Sequence, residues 1–249
     1  MATPIGIQLY TVREQLAKDY EGVVRQLAAW GCECFETAGF PGSTPEAAAA
    51  LMKELGTPVL AMHVPPPVGA NEQPVIETAK LLGCKRLVMT KGPDSFKDDA
   101  AVKATCEEAN LALKNAQAHG MGFGLHNHWW EFEERNGRRV IDQMLEWLDP
   151  GVFLEVDIYW VHVAGLDPAQ TIERLGKRVK LLHVKDGPAK QGEPMKALGE
   201  GVVNLAACLE AATHAEAFFV ELDDCATDMM EAVRKSFDWI KAHRAAHGG

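Results

Sequence analysis

No two of the six cysteines form a C-x-x-C pair: Cys32, Cys34, Cys84, Cys106, Cys208 and Cys225 are scattered. That excludes a zinc knuckle or a dithiol redox motif and leaves them the role of small buried apolar residues. No apolar run approaches the roughly 18 to 20 residues that cross a bilayer, and Met1-Ala2-Thr3-Pro4 has no basic-then-apolar leader pattern. No membrane partner and a cytoplasmic location are therefore expected. Basic residues are in deficit, 25 Lys and Arg against 35 Asp and Glu, for a net charge of −10 with His neutral. Such a surface disfavours nucleic acid as a partner. After the first apolar run the chain reads Tyr10-Thr11-Val12-Arg13, so the glycine cradle of an open dinucleotide-binding sheet is missing as well.

The chain does contain a period. Apolar, β-branched runs occur at Ile5–Tyr10, Cys32–Thr37, Pro58–His63, Lys85–Thr90, Met121–Asn127, Val152–Asp157, Val179–Lys185 and Ala217–Leu222, their starts about 26 to 38 residues apart. That spacing fits a strand, a loop and a helix, and runs apolar on both faces suit a parallel sheet covered on both sides. Eight such units in 249 residues predict an α/β fold, a (β/α)8 TIM barrel forming one domain over residues 1–249.

Helix signals fill the gaps. Ser43-Thr44-Pro45-Glu46 combines a capping box with an early proline ahead of an alanine run ending at Leu55-Gly56. Asp98 and Asp99 open a second helix closed by His119-Gly120, and Met230, Val233, Phe237 and Ile240 give the last one its apolar stripe. After the fifth strand, Asn136-Gly137 predicts a small β-hairpin insertion, placed over the barrel mouth.

In a TIM barrel the chemistry sits where the strands end, and here those ends are polar. They carry Gln8 and Tyr10, Glu36, His63, His126-Asn127-His128, Asp157, His183-Val184-Lys185-Asp186 and Glu221-Leu222-Asp223. Alternation along a strand puts His183 and Lys185 on one side, Glu155 with Asp157, and Glu221 with Asp223. Asp157, His183 and Glu221 thus form a mixed oxygen and nitrogen set suited to one divalent ion, Mn²⁺, Co²⁺, Zn²⁺ or Mg²⁺, with a fourth ligand expected from strand 5 or its hairpin. The plainer alternatives are Asp157 as a helix cap, Glu221 as a partner of Lys185, and Gly199-Glu200-Gly201 as an ordinary turn rather than a phosphate loop. Trp30, Trp147 and Trp239 read as packing, whereas Trp129, Trp130 and Trp160 follow strand ends and can stack on a sugar.

Gly6-Ile7-Gln8-Leu9-Tyr10, His126-Asn127-His128-Trp129-Trp130-Glu131-Phe132, Glu155-Val156-Asp157-Ile158-Tyr159-Trp160, Leu182-His183-Val184-Lys185-Asp186, Gly199-Glu200-Gly201 and Val220-Glu221-Leu222-Asp223 together resemble the sugar phosphate isomerase/epimerase family of xylose isomerase-like TIM barrels. The resemblance implies a metal held by Glu, Asp, His and Glu from strands 5 to 8. The last three map onto Asp157, His183 and Glu221, but strand 5 carries His126, so His126 and the hairpin carboxylate Glu131 are both candidates, with Glu131 favoured. The three-zinc endonucleases of the superfamily are excluded, because Trp160 stands where they need a His and strand 4 ends in Met89-Thr90-Lys91-Gly92.

The function that follows is a metal-dependent sugar or polyol isomerase or epimerase that abstracts a proton beside a carbonyl, through an enediolate. Glu221 or Glu131 removes the proton and the opposite carboxylate or Lys185 returns it. Gln8, Glu36, His63, His128 and Trp160 are the expected substrate contacts. The alternatives are a metal-dependent dehydratase of an inosose or keto-sugar and a sugar-binding subunit without chemistry; homo-oligomerisation is left open.

Overall fold

All eight apolar runs form strands, and the computed structural model, which describes residues 2–246, closes them into one parallel barrel. The strands are β1 Ile5–Gln8, β2 Cys34–Thr37, β3 Val59–His63, β4 Arg86–Met89, β5 Gly122–His126, β6 Phe153–Asp157, β7 Val179–Val184 and β8 Ala217–Val220. Each pairs with its successor, and β8 closes on β1 with Ile5, Gly6 and Ile7 opposite Phe218, Phe219 and Val220. This is the expected TIM barrel. Several strands stop a residue or two before the apolar run does. In β1 the cause is local: the Gln8 side-chain oxygen accepts from Tyr10 N at 3.1 Å and turns the chain into a 3-10 segment, Leu9–Val12.

The helices lie where their caps predict. Thr44 Oγ1 accepts from Ala47 N at 3.2 Å with Pro45 in the first turn, and Gly56, at φ 68°, closes the helix Pro45–Leu55. Asp98 caps Asp99–Gln117 by accepting from Ala101 N at 2.8 Å. Among the described residues no helix is long and apolar enough to cross a membrane. Cys32, Cys34, Cys84, Cys106 and Cys208 are buried and unpaired.

The hairpin forms, with Glu134–Arg135 paired antiparallel to Arg138–Arg139 across Asn136 (φ 52°) and Gly137 (φ 76°). It is not a cover for the mouth. Arg138 and Arg139 tie it back to Asp142 O and Phe132 O, beside the helix Val140–Trp147, and none of its residues lines the mouth cavity.

The barrel interior is layered by strand alternation. Cys34, Ala61, Val88, Phe153, Leu181, Ala217 and Phe219 form a buried apolar cluster of their own. A Cβ at Gly124 would meet the Phe153 ring at 2.4 Å, so the ring occupies the space that glycine leaves in β5. Two residues further along the strands, the same inward side presents Glu36, His63, Glu155, His183 and Glu221.

Candidate metal and sugar site

Register brings the polar ends together. His126 pairs across from Glu155, and Asp157 from His183. Asp157 is a helix cap that keeps one oxygen free of the cap: its Oδ1 accepts from Tyr159 N and Trp160 N at 3.0 and 3.1 Å at the start of the helix Ile158–Val163, which leaves Oδ2 facing Lys185. Lys185 Nζ lies 2.9 Å from that Oδ2, 2.8 Å from Glu221 Oε2 and 2.9 Å from Asp223 Oδ2. The partner reading of Glu221 is therefore realised.

His183 stands between two groups. Its Nδ1 is 2.5 Å from Glu221 Oε2, and its Nε2 is 2.6 Å from Glu36 Oε2 and 3.2 Å from Glu155 Oε2. Below it, Glu155 Oε2 also faces His63 Nε2 at 2.6 Å and His126 Nδ1 at 3.3 Å. Glu155 was not among the expected site residues. Its signal was in the sequence, since it shares the inward side of β6 with Asp157. Glu36, expected to touch substrate, is instead fully buried behind His183 and His63.

Burial and neighbouring charge set the protonation states. Burial opposes ionisation of Glu221, yet Lys185 and His183 hold its carboxyl well below the ordinary range; for Glu155, His183 and His63 do the same. Burial also works against the charged form of Lys185, but Asp157, Glu221 and Asp223 outweigh it and keep the ammonium protonated. Asp157 is pushed up to about 6 and Glu36 to about 7, in both cases chiefly by burial. Burial and then Lys185 lower His128 to about 3, so its imidazole stays neutral.

The structure does not bring Glu131 to this group. Trp130–Phe132 is a 3-10 turn that carries the carboxylate behind β5, where Oε2 accepts from His128 N at 2.8 Å amid Ile141, Met144 and Leu154. Burial there raises Glu131 to about 8. The Gly199-Glu200-Gly201 turn is committed as well: Asp186 Oδ2 accepts from Gly199 N and Gly201 N at 2.9 and 3.0 Å, and a Cβ at Gly201 would lie 2.0 Å from Asp186 Oδ1. No amide of that pair is left for a phosphate.

A cavity of about 630 Å³ opens above the cluster, lined by Gln8, His63, His126, His128, Glu221 and Asp223 on its polar side. Trp129, Trp130 and Trp160 form an aromatic wall, with His128 stacked on Trp130 at 4.3 Å and Trp129 against Trp160 at 4.8 Å. Among the described residues lining the cavity none is Lys or Arg.

The donors suit a divalent ion. Two sets have ligand atoms within 4.8 Å of one another, Asp157, His183 and Glu221 in one and His63, His126, Glu155 and His183 in the other. Asp157 Oδ2, His126 Nδ1, His183 Nδ1 and Glu221 Oε2 are buried without a well-directed hydrogen bond, although charged neighbours lie close, which is the arrangement of atoms that converge on a shared point.

A family model for xylose isomerase-like TIM barrels matches residues 24–243. The chain belongs to the xylose isomerase-like TIM barrel family. Solved structures of this kind superpose along nearly the whole chain. One described as a sugar phosphate isomerase/epimerase from Parabacteroides distasonis ATCC 8503 is 24% identical with a TM-score of 0.82, covering 96% of this chain and 98% of the other. A D-tagatose 3-epimerase-like protein is 19% identical with a TM-score of 0.73 over 98% and 97% of the two chains. A structure described as the probable 3-DHS dehydratase from Bacillus anthracis is 14% identical, with a TM-score of 0.75 over 96% and 98%. At these identities the likeness is one of fold. No curated protein matches the chain in sequence. Xylose isomerase-like barrels thus supply the frame, and the chemistry has to be argued from the side chains.

Proposed function

We propose that the protein is a divalent-metal-dependent isomerase or epimerase of an unphosphorylated sugar or polyol. The observation that carries this reading is the meeting of Lys185, Asp157 and His183 around Glu221, which itself lines an aromatic-walled cavity. A divalent ion, which Asp157, His183 and Glu221 with His126 would hold, would supply Lewis-acid polarisation of a carbonyl and its neighbouring hydroxyl when bound. Glu221, ionised and facing the cavity, accepts the proton from the carbon beside that carbonyl. Lys185, held protonated by its three carboxylates, stabilises the negative charge that develops on the substrate oxygen.

The aromatic wall stacks on the C–H face of the ring, and Gln8, His63 and His128 contact its hydroxyls. That no Lys or Arg lines the cavity among the described residues supports a substrate without phosphate. Loss of a β-hydroxyl after the same proton abstraction is the dehydratase alternative, supported by the relative described as the probable 3-DHS dehydratase.

The test is incubation of the metal-loaded protein with neutral ketoses, inososes and 3-keto-sugars in D₂O. Deuterium entering the carbon beside the carbonyl supports the reading, with water loss marking the dehydratase form. No exchange from any of these substrates by the metal-loaded protein overturns it.

A further inference from the structure

His183 has a carboxylate at each of its ring nitrogens, Glu36 Oε2 at 2.6 Å from Nε2 and Glu221 Oε2 at 2.5 Å from Nδ1. The two contacts differ in kind. An N–H on Nε2 points at Glu36 Oε2 and makes a hydrogen bond, whereas Nδ1 and Glu221 Oε2 lie close but are not aligned for one. The ring proton therefore belongs on Nε2, and Nδ1 keeps its lone pair. Were Glu36 to hold that proton, the ring N–H would sit on Nδ1, where among the described residues no oxygen lies in line with it.

Glu36 is a costly residue to keep in this place. It is fully buried, and among the described residues its ionic partners are imidazoles alone, His183 and, at 3.5 Å, His63 Nε2. Its second oxygen, Oε1, has no hydrogen-bond partner, so the carboxylate destabilises the fold unless its one directed bond serves a purpose. Glu155 does not share that bond: its Oε2, 3.2 Å from His183 Nε2, takes its short directed contact from His63 Nε2 at 2.6 Å. Glu36 also stands at an irregularity, because the pairing of β2 with β3 slips between Phe35 and Glu36. Slips of this kind re-aim a side chain beside a site.

We propose that Glu36 is a positioning residue for the metal centre, holding the ring proton of His183 on Nε2 and so presenting the Nδ1 lone pair to the set formed with Asp157 and Glu221. This rests on the metal dependence proposed above. Asp157, His183 and Glu221 offer ligand atoms within 4.8 Å of one another, and a His183 ring that was flipped, or protonated on Nδ1, would put an N–H among them in place of a donor. Outer carboxylates that fix the tautomer and orientation of a ligating histidine are worth about 10- to 100-fold in metal affinity. The support comes from across the barrel, since Glu36 lies on β2 whereas the donors are carried by β6, β7 and the end of β8.

The experiment is titration of the metal-stripped, full-length protein with Co²⁺, by calorimetry and metal analysis, for the parent, Glu36→Leu and Glu36→Gln. The expected result is binding by the parent, affinity lower by about 10- to 100-fold in Glu36→Leu, and recovery of most of that loss in Glu36→Gln, whose amide oxygen still accepts from Nε2. Unchanged affinity in Glu36→Leu overturns the role and leaves metal dependence standing. A Glu36→Gln variant as weak as Glu36→Leu overturns it too, because an acceptor at Nε2 would then not be what the site needs. A parent that binds no ion overturns metal dependence and this role with it. Where Glu36→Leu does not fold, nitrogen-15 NMR of the histidine-labelled, Zn²⁺-loaded parent decides. The His183 ring, identified by its absence from the spectrum of His183→Gln, is expected to carry its proton on Nε2; a proton on Nδ1 overturns the assignment.

Discussion

The lower and upper halves of the barrel interior are built from the same strands two residues apart, yet they do opposite things. Cys34, Ala61, Phe153, Leu181 and Phe219 fill the lower half as a dry apolar plug, whereas Glu36, His63, Glu155, His183 and Glu221 fill the upper half with charge. The plug gains stability from burial. The upper half gives stability up, since each buried charge must find a partner or destabilise the fold. The difference teaches that a barrel separates its stabilising and reactive surfaces along one axis, at no cost in architecture. It also implies that substitutions in the two halves will fail in different ways.

The sharpest break in that comparison is Lys185→Met. It leaves Asp157, Glu221 and Asp223 buried without their cation, so unfolding free energy in chelator should fall by about 3–5 kcal/mol and turnover should be abolished. Denaturant titration with and without Co²⁺ checks this; a change below about 1 kcal/mol in chelator would show the ammonium to be dispensable.

In the plug, Phe153→Ala should cost a similar amount, about 3–5 kcal/mol, through the cavity it opens beside Gly124. Here the bound-metal equivalents should be unchanged once the protein is folded. A variant that loses its ion while remaining folded would mean the halves are coupled after all.

Glu131 tests a buried carboxyl outside both halves. Its folded pKa of about 8 lies above the ordinary value of about 4.3, so the folded state keeps a proton that the unfolded chain has released. Stability therefore falls as pH rises between these two values. Glu131→Gln should flatten that slope and leave the protein more stable than its parent at pH 9, by on the order of a few kcal/mol. Urea midpoints at pH 5 and pH 9 that move in parallel for both proteins would rule this out.

The smallest expected effect lies on the cavity wall. Trp160→Ala removes stacking surface without touching a metal donor, so KM should rise about tenfold, roughly 1.4 kcal/mol, with bound metal unchanged. Kinetics equal to the parent on an identified substrate would return Trp160 to a packing role.

Much of this was legible in the chain. The spacing of the apolar runs, the caps at Thr44 and Asp98, and the Asn136-Gly137 turn are local signals, and each element appears where they point. Strand alternation placed Asp157, His183, Lys185 and Glu221 on inward-facing sides. It marked Glu155 equally, but a carboxylate two residues inside an apolar run reads as an anomaly until its partners are known. Glu131 is favoured in the sequence because two flanking carboxylates would give the epimerase-like arrangement, and a single 3-10 turn carries it away from both donor groups.

The sequence by itself determined which residues alternate inward, how many strand-and-helix units there are, and where helices begin, since each depends on neighbours a few positions away. Only the tertiary structure decided that His63, His126, Glu155 and His183 converge, that Lys185 is shared by three carboxylates, and that the Gly199 and Gly201 amides are taken by Asp186. Those outcomes depend on how strands far apart in the chain are staggered around a closed barrel, and strand tilt and stagger are properties of closure that no local run of residues carries.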